Sequence, residues 1–209
     1  LLKMEDLLIF PYSGTAIEAL DCLNDEWNCI GFISDDTCFI GKKFFGIEVF
    51  GRKALKDFPN AYVLTVHGSP TSYLKRQEII NSLLIDSSRF ATVIHKKATV
   101  STYAQIGVNV LIMAGTVITA NAVIGNHVII LPNSVIHHDS VVGDFTLIAA
   151  SVTVAGNVTI RNNCYLGAAS SYKNGITIGK DSMIGIGTNV IKSFPEKSKL
   201  VGNPAIQKR

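Results

Sequence analysis

The chain has 209 residues, room for one large core or two smaller ones, and its net charge of +3 is too small and dispersed to argue for a nucleic-acid partner. Hydrophobic residues make up 47% and charged ones only 17%, an apolar bias that first suggests a membrane protein. The unbroken apolar runs are only a few residues long, Val128 to Leu131 for example, against the roughly 20 of a membrane span, so no membrane segment is expected.

In chain order, the opening Leu1-Leu2-Lys3-Met4-Glu5-Asp6 is acidic and runs straight into an apolar stretch, so a secretory signal is not expected and the cytoplasm is the default location. Residues 7–10 (Leu-Leu-Ile-Phe) read as a buried strand, followed by the loop Pro11-Tyr12-Ser13-Gly14-Thr15-Ala16 and an amphipathic helical run, Ile17 to Leu23. A second strand, Cys29 to Ile33, ends at Ser34-Asp35-Asp36. A third, Ala61 to Val66, ends at His67-Gly68-Ser69, and a helix is expected over about residues 71–84. Strands alternating with helices imply a small parallel sheet, whose ligands sit beyond the carboxyl ends of its strands, where all three loops lie. The helix start after Gly14 can hold phosphate oxygens through backbone N–H groups. Against that, the loop lacks a full GxGxxG and has Pro11 where a glycine is expected, so an ordinary β-α turn competes. Asp35 and Asp36 can accept hydrogen bonds from a nucleobase or ribose, though paired aspartates at a strand end also serve as turn formers. Cys22, Cys29, Cys38 and Cys164 show neither CxxC nor metal-type spacing and read as reduced thiols.

From Ile94 onward, stepping by six gives an aliphatic residue almost without exception, through Ile106, Ile118, Ile130, Val142 and Ile160 to Val190. Four residues after each comes a small or β-branched one, such as Ala98, Thr116, Ser134 and Ser182. Neither helix nor simple strand has this period; it is the hexapeptide signature of a β-helix. Six residues make a short strand and a corner, three hexads close a triangular coil, and coils stack about 4.8 Å apart by parallel pairing. Glycine directly after the aliphatic residue, at Gly107, Gly125, Gly143, Gly167, Gly179 and Gly185, is expected to supply a positive φ at the corner. Two domains follow, residues 1–90 and 91–209, with a short C-terminal tail whose Lys197, Lys199, Lys208 and Arg209 read as solvated surface.

Read together, "IFPYSGTA", "GFISDD", "VIHKKATVS", "NSVIHHDSVVGDF", "VAGNVTIRNNCYLGAAS" and "VGNPA" make the chain resemble, over residues 7 to 206, the sialic acid O-acetyltransferases and bacillosamine-pathway N-acetyltransferases. In these, a small Rossmann-like α/β domain precedes a left-handed parallel β-helix; the handedness comes from the resemblance, since spacing cannot supply it. The resemblance implies acetyl-CoA as co-substrate, no metal, and a nucleotide-sugar held at Ser13, Gly14, Thr15, Asp35, Asp36 and Gly68. It also implies a catalytic pair at His138 and Asp139, and a backbone amide at Gly156 near the reacting carbonyl. Acetyl-CoA contacts fall at Gly167-Ala168 and Gly185-Ile186, along the helix between subunits of a homotrimer. His137 precedes the pair where relatives often carry another residue. Two departures stand out: Thr15 where a histidine is frequent, and Leu147 where some relatives place a histidine near acetyl-CoA.

Coil arithmetic supplies a separate check, because 138 plus 18 is 156, so His138 and Gly156 should stack on one corner of successive coils. A neutral imidazole there can take a proton from an attacking amine while a backbone N–H stabilises the oxyanion, and Asp139 can orient the ring. The expectation is therefore N-acetylation of a nucleotide-linked amino sugar, a 4-amino-4,6-dideoxy sugar being favoured, with O-acetylation of sialic acid or a similar sugar as the alternative. A zinc carbonic anhydrase on the same helix needs three converging histidines, and His127, His137 and His138 lack coil-related spacing. A pure scaffold leaves the nucleotide-type loops unexplained. His95 and His127 have no such partners, and His67 sits at a strand-end loop.

Overall fold

The structure, a computed structural model, describes residues 4–208; Leu1 to Lys3 and Arg209, the outer ends of the acidic opening and the basic tail, lie outside the described residues. The first apolar stretch forms β1 (Glu5–Phe10), whose Leu7 to Phe10 are buried because they sit mid-sheet with both faces covered. Helix α1 (Gly14–Leu20) follows, starting three residues earlier than the amphipathic pattern suggests because the Ser13 hydroxyl accepts the Ala16 N–H at 3.2 Å and caps it. Next come β2 (Trp27–Ile33), β3 (Lys43–Phe44), β4 (Ile47–Phe50), α2 (Ala54–Asp57) and β5 (Tyr62–Thr65), in sheet order β3-β4-β2-β1-β5. All neighbours pair in parallel except the edge hairpin of β3 and β4, which turns on Phe45 (φ 55) and Gly46 (φ 80). The helix expected over 71–84 is shorter: a 3-10 turn at Tyr73–Lys75 leads into α3 (Arg76–Asn81), and Leu84 lies beyond the helix at φ 51.

Beyond residue 92 the hexads form seventeen two-residue strands, β6 (Val93–Ile94) to β22 (Asn189–Val190). Each pairs in parallel with the strand 18 residues away, as Val117 does with Thr99 and Val135, which makes a three-sided left-handed β-helix. The inner residues Ile112, Ile130, Ile148 and Leu166 are fully buried, each worth roughly 1.5–3 kcal/mol of removal from water. Some buried corner hydroxyls satisfy backbone groups of neighbouring coils: Ser134 Oγ donates to Ala149 O at 2.9 Å and accepts the Val152 N–H at 3.1 Å.

The corner glycines correct an expectation. Gly107, Gly125, Gly143, Gly167, Gly179 and Gly185 do not take a positive φ; that falls two residues later, on Asn109, His127, Phe145, Ala169, Asp181 and Gly187. What glycine provides is space. A Cβ on Gly125 would lie 2.4 Å from Asp144 Oδ1, which reaches back from the next coil to accept the Asn126 N–H at 2.7 Å.

The three faces differ outward. One carries Leu111, Ile129, Leu147 and Tyr165, and the small domain packs on it through Leu7, Leu64 and Val66. We call it the docking face. The second face runs from Thr99–Val100 to Asn189–Val190 and the third from Gln105–Ile106 to Thr177–Ile178. Polar ties flank the docking. Fully buried Arg76 donates from Nε to Phe145 O at 3.0 Å and from Nη2 to His127 O at 2.5 Å. Asn109 accepts the Thr65 N–H at 2.8 Å and meets His127 Nδ1 at 2.9 Å. At the far end, β23 (Lys199–Val201) adds to the docking face in parallel, and β24 (Ile206–Gln207) then pairs with it antiparallel.

Candidate active site

His138 and Asp139 occupy the edge between the second and third faces, just after the strand Val135–Ile136. Asp139 sits at φ 59, which turns its carboxylate back over the preceding ring, and His138 Nδ1 lies 2.7 Å from Asp139 Oδ2. A carboxylate only accepts, so Nδ1 carries the proton and the neutral ring keeps its lone pair on Nε2. The other carboxylate oxygen accepts from Asn121 Nδ2 at 3.1 Å, across one coil. These two hydrogen bonds, His138 first and Asn121 second, hold the Asp139 carboxyl below the usual carboxylate range.

Nε2 faces Gly156. A Cβ built there would lie 2.7 Å from both Nε2 and Cε1 of His138, so only glycine leaves the ring in position. The Asn157 N–H donates to His138 O at 3.0 Å and locks the two coils together, whereas the Gly156 N–H finds no acceptor among the described residues. At the equivalent corner position the Asn126 N–H is capped by the Asp144 side chain from the next coil, whereas that of Gly156 stays open.

The remaining sequence candidates lie elsewhere. Ser13, Gly14, Thr15 and Gly68 belong to the small domain, and Thr15, Gly68 and Ser69 line a cavity of about 160 Å³ with Ile129, Leu147 and Tyr165 of the docking face. Gly68 has φ 144, and a Cβ there would lie 2.6 Å from Leu147 and 2.7 Å from Arg76 Nη1, so Leu147 serves here as packing beneath the loop. Asp35 is already engaged: Arg52 donates to it from Nε at 2.6 Å and Nη2 at 2.7 Å. Asp36 Oδ1 accepts the Cys38 N–H at 2.9 Å, the turn-forming role. Gly167-Ala168 and Gly185-Ile186 stack one coil apart on the edge between the docking and second faces, and Ile186 is 80% exposed. The structure therefore brings His138, Asp139 and Gly156 together and keeps them on the edge opposite the docking face. His127 belongs to the third edge, stacked on Phe145 at 4.7 Å, and no group of three metal-ligating side chains exists among the described residues. No helix there is long and apolar enough to cross a membrane. Sequence reading missed Arg52, Arg76 and Asn121; only Asn121, 18 residues before Asp139, was within reach of coil arithmetic.

Residues 103–138 match the family described as bacterial transferase hexapeptide (six repeats). No curated protein matches the chain. Among solved structures, the acetyltransferase domain of PglB from Neisseria gonorrhoeae FA1090 in complex with acetyl coenzyme A is similar at TM-score 0.85 and 23% identity, over 99% of this chain and 100% of that one. PerB from Caulobacter crescentus in complex with CoA and GDP-perosamine is similar at TM-score 0.82 and 24% identity, over 98% and 97%. WeeI from Acinetobacter baumannii AYE gives TM-score 0.82 and 23% identity, over 99% and 100%. Repeat, coil and likeness define the class of fold: a hexapeptide-repeat left-handed β-helix behind a small parallel α/β domain. These three solved chains share that two-part architecture along nearly their whole length.

Proposed function

We propose that the protein is an acetyl-CoA-dependent N-acetyltransferase acting on the amino group of a nucleotide-linked amino sugar. The observation that carries this is His138, its Nδ1 held by Asp139, with Nε2 lying against Gly156, whose own N–H has no acceptor among the described residues. His138 takes the proton from the amine as its nitrogen bonds to the thioester carbonyl carbon. The Gly156 N–H donates to the oxygen that becomes negative, and Asp139 stabilises the imidazolium. When the tetrahedral species collapses, the C–S bond breaks and His138 returns its proton to the departing thiolate. PglB and PerB, whose structures hold acetyl-CoA or CoA, support acetyl-CoA as donor, and GDP-perosamine in PerB supports a nucleotide-linked amino sugar as acceptor.

One chain keeps its nucleotide-type loops by the docking face and its histidine on the opposite edge, which supports a site shared between copies, in a homotrimer. The test is release of free CoA thiol with UDP-, dTDP- and GDP-linked 4-amino sugars, each beside its 4-hydroxy counterpart. Turnover of one amino sugar is expected, with His138→Asn lowering kcat by about 10²–10⁴. No turnover with any amino sugar, preference for the hydroxyl acceptors, or full activity in His138→Asn would reject the proposal.

A further inference from the structure

We infer that Asn121 is a positioning residue for the catalytic pair: its amide holds the Asp139 carboxylate from the coil below, and Asp139 so held fixes the plane of His138. This rests on the acetyl transfer proposed above. Asn121 and Asp139 occupy the same corner of successive coils, both in the left-handed region, at φ 61 and 59. Asn121 Nδ2 grips one carboxylate oxygen at 3.1 Å while the other faces His138 Nδ1 at 2.7 Å. The pair needs such a grip, because the His138 and Asp139 side chains are 53% and 44% exposed and no packed core surrounds them. Held from two directions, the carboxylate cannot rotate about its own Cβ–Cγ bond without losing a hydrogen bond, and the imidazole follows it.

The same ladder recurs on another edge, where Asn163 Nδ2 donates to Asp181 Oδ1 at 2.9 Å. Asn–Asp stacking is thus a device of these turns, and on the His138 edge it ends on a group that faces the reacting atoms. The recurrence supplies its own control. Both asparagines have a positive φ, so glycine removes either amide without backbone strain.

In steady-state kinetics, Asn121→Gly is expected to lower kcat about 10-fold, the worth of one hydrogen bond to a charged group, with both KM values within about twofold of wild type. Asn163→Gly should keep wild-type kcat and serve as the comparison for thermal stability. Asn121→Asp has the native shape and tolerates positive φ, yet sets a second carboxylate against Asp139, so it should be less active than Asn121→Gly. Wild-type kcat in Asn121→Gly, an equal loss in Asn163→Gly, or Asn121→Asp as active as Asn121→Gly would each overturn the inference. Should wild type turn over no nucleotide sugar, the proposed function falls separately. Nitrogen-15 NMR of His138 still decides: an Nδ1-protonated tautomer in wild type that becomes mixed in Asn121→Gly supports positioning, and an unchanged tautomer refutes it.

Discussion

Gly156 shows how one missing methyl group can govern a reaction. Its backbone lies outside the left-handed region, so alanine meets no dihedral strain, yet the added Cβ would press on His138 at 2.7 Å. We expect Gly156→Ala to lower kcat about 100-fold by turning the ring away from the open amide, with a melting temperature close to wild type; equal loss of both would point to folding instead. His127 has a different job. Burial, aided by the nearby Arg76 guanidinium, pushes its pKa down to about 4 from 6.5, so the unfolded chain binds its proton first as pH falls. Its contribution to stability is complete above pH 6.5 and is lost as pH drops toward 4. Urea unfolding at pH 7 and pH 5 should therefore reveal a loss of about 1–2 kcal/mol, reduced for partial exposure, that His127→Phe does not share.

At the scale of elements, the β-helix was legible because the same chemical choice recurs at every sixth position, and pairing every 18 residues follows from three hexads per coil. Coil arithmetic carried over to the site, where His138 and Gly156 meet. The sequence misled about why corner glycines exist: their spacing reveals a constraint without revealing whether a dihedral or a neighbouring side chain imposes it, and here Asn126, Asp144 and Asn162 fill the space. In the small domain the strand and helix alternation was readable. The β3–β4 hairpin was not, since Phe45 takes a positive φ that nothing about phenylalanine announces. Arg76 was equally hidden, because its acceptors are carbonyls 51 and 69 residues away and its only local sign is a charged residue on a short helix.

Across the whole molecule, the division of labour between opposite sides of the prism leads to a test by mixing. Gly14→Leu should fold, since a Cβ on Gly14 meets nothing within 4 Å, while filling the loop proposed to hold the nucleotide. His138→Asn and Gly14→Leu should each be strongly impaired alone and regain about a quarter to a third of wild-type turnover when unfolded together and reassembled, because some mixed interfaces then unite two intact halves. No recovery would mean that each chain works by itself. The hairpin at the far end carries a last consequence. A stack of parallel rungs is an invitation to endless growth, each exposed rung a template for the next molecule. By doubling back, β24 lays a rung of reversed polarity across the docking side, and a neighbour arriving there end-on meets donors and acceptors in the wrong sequence. Deleting that strand should raise end-to-end association through the docking side, read as a concentration-dependent rise in light scattering.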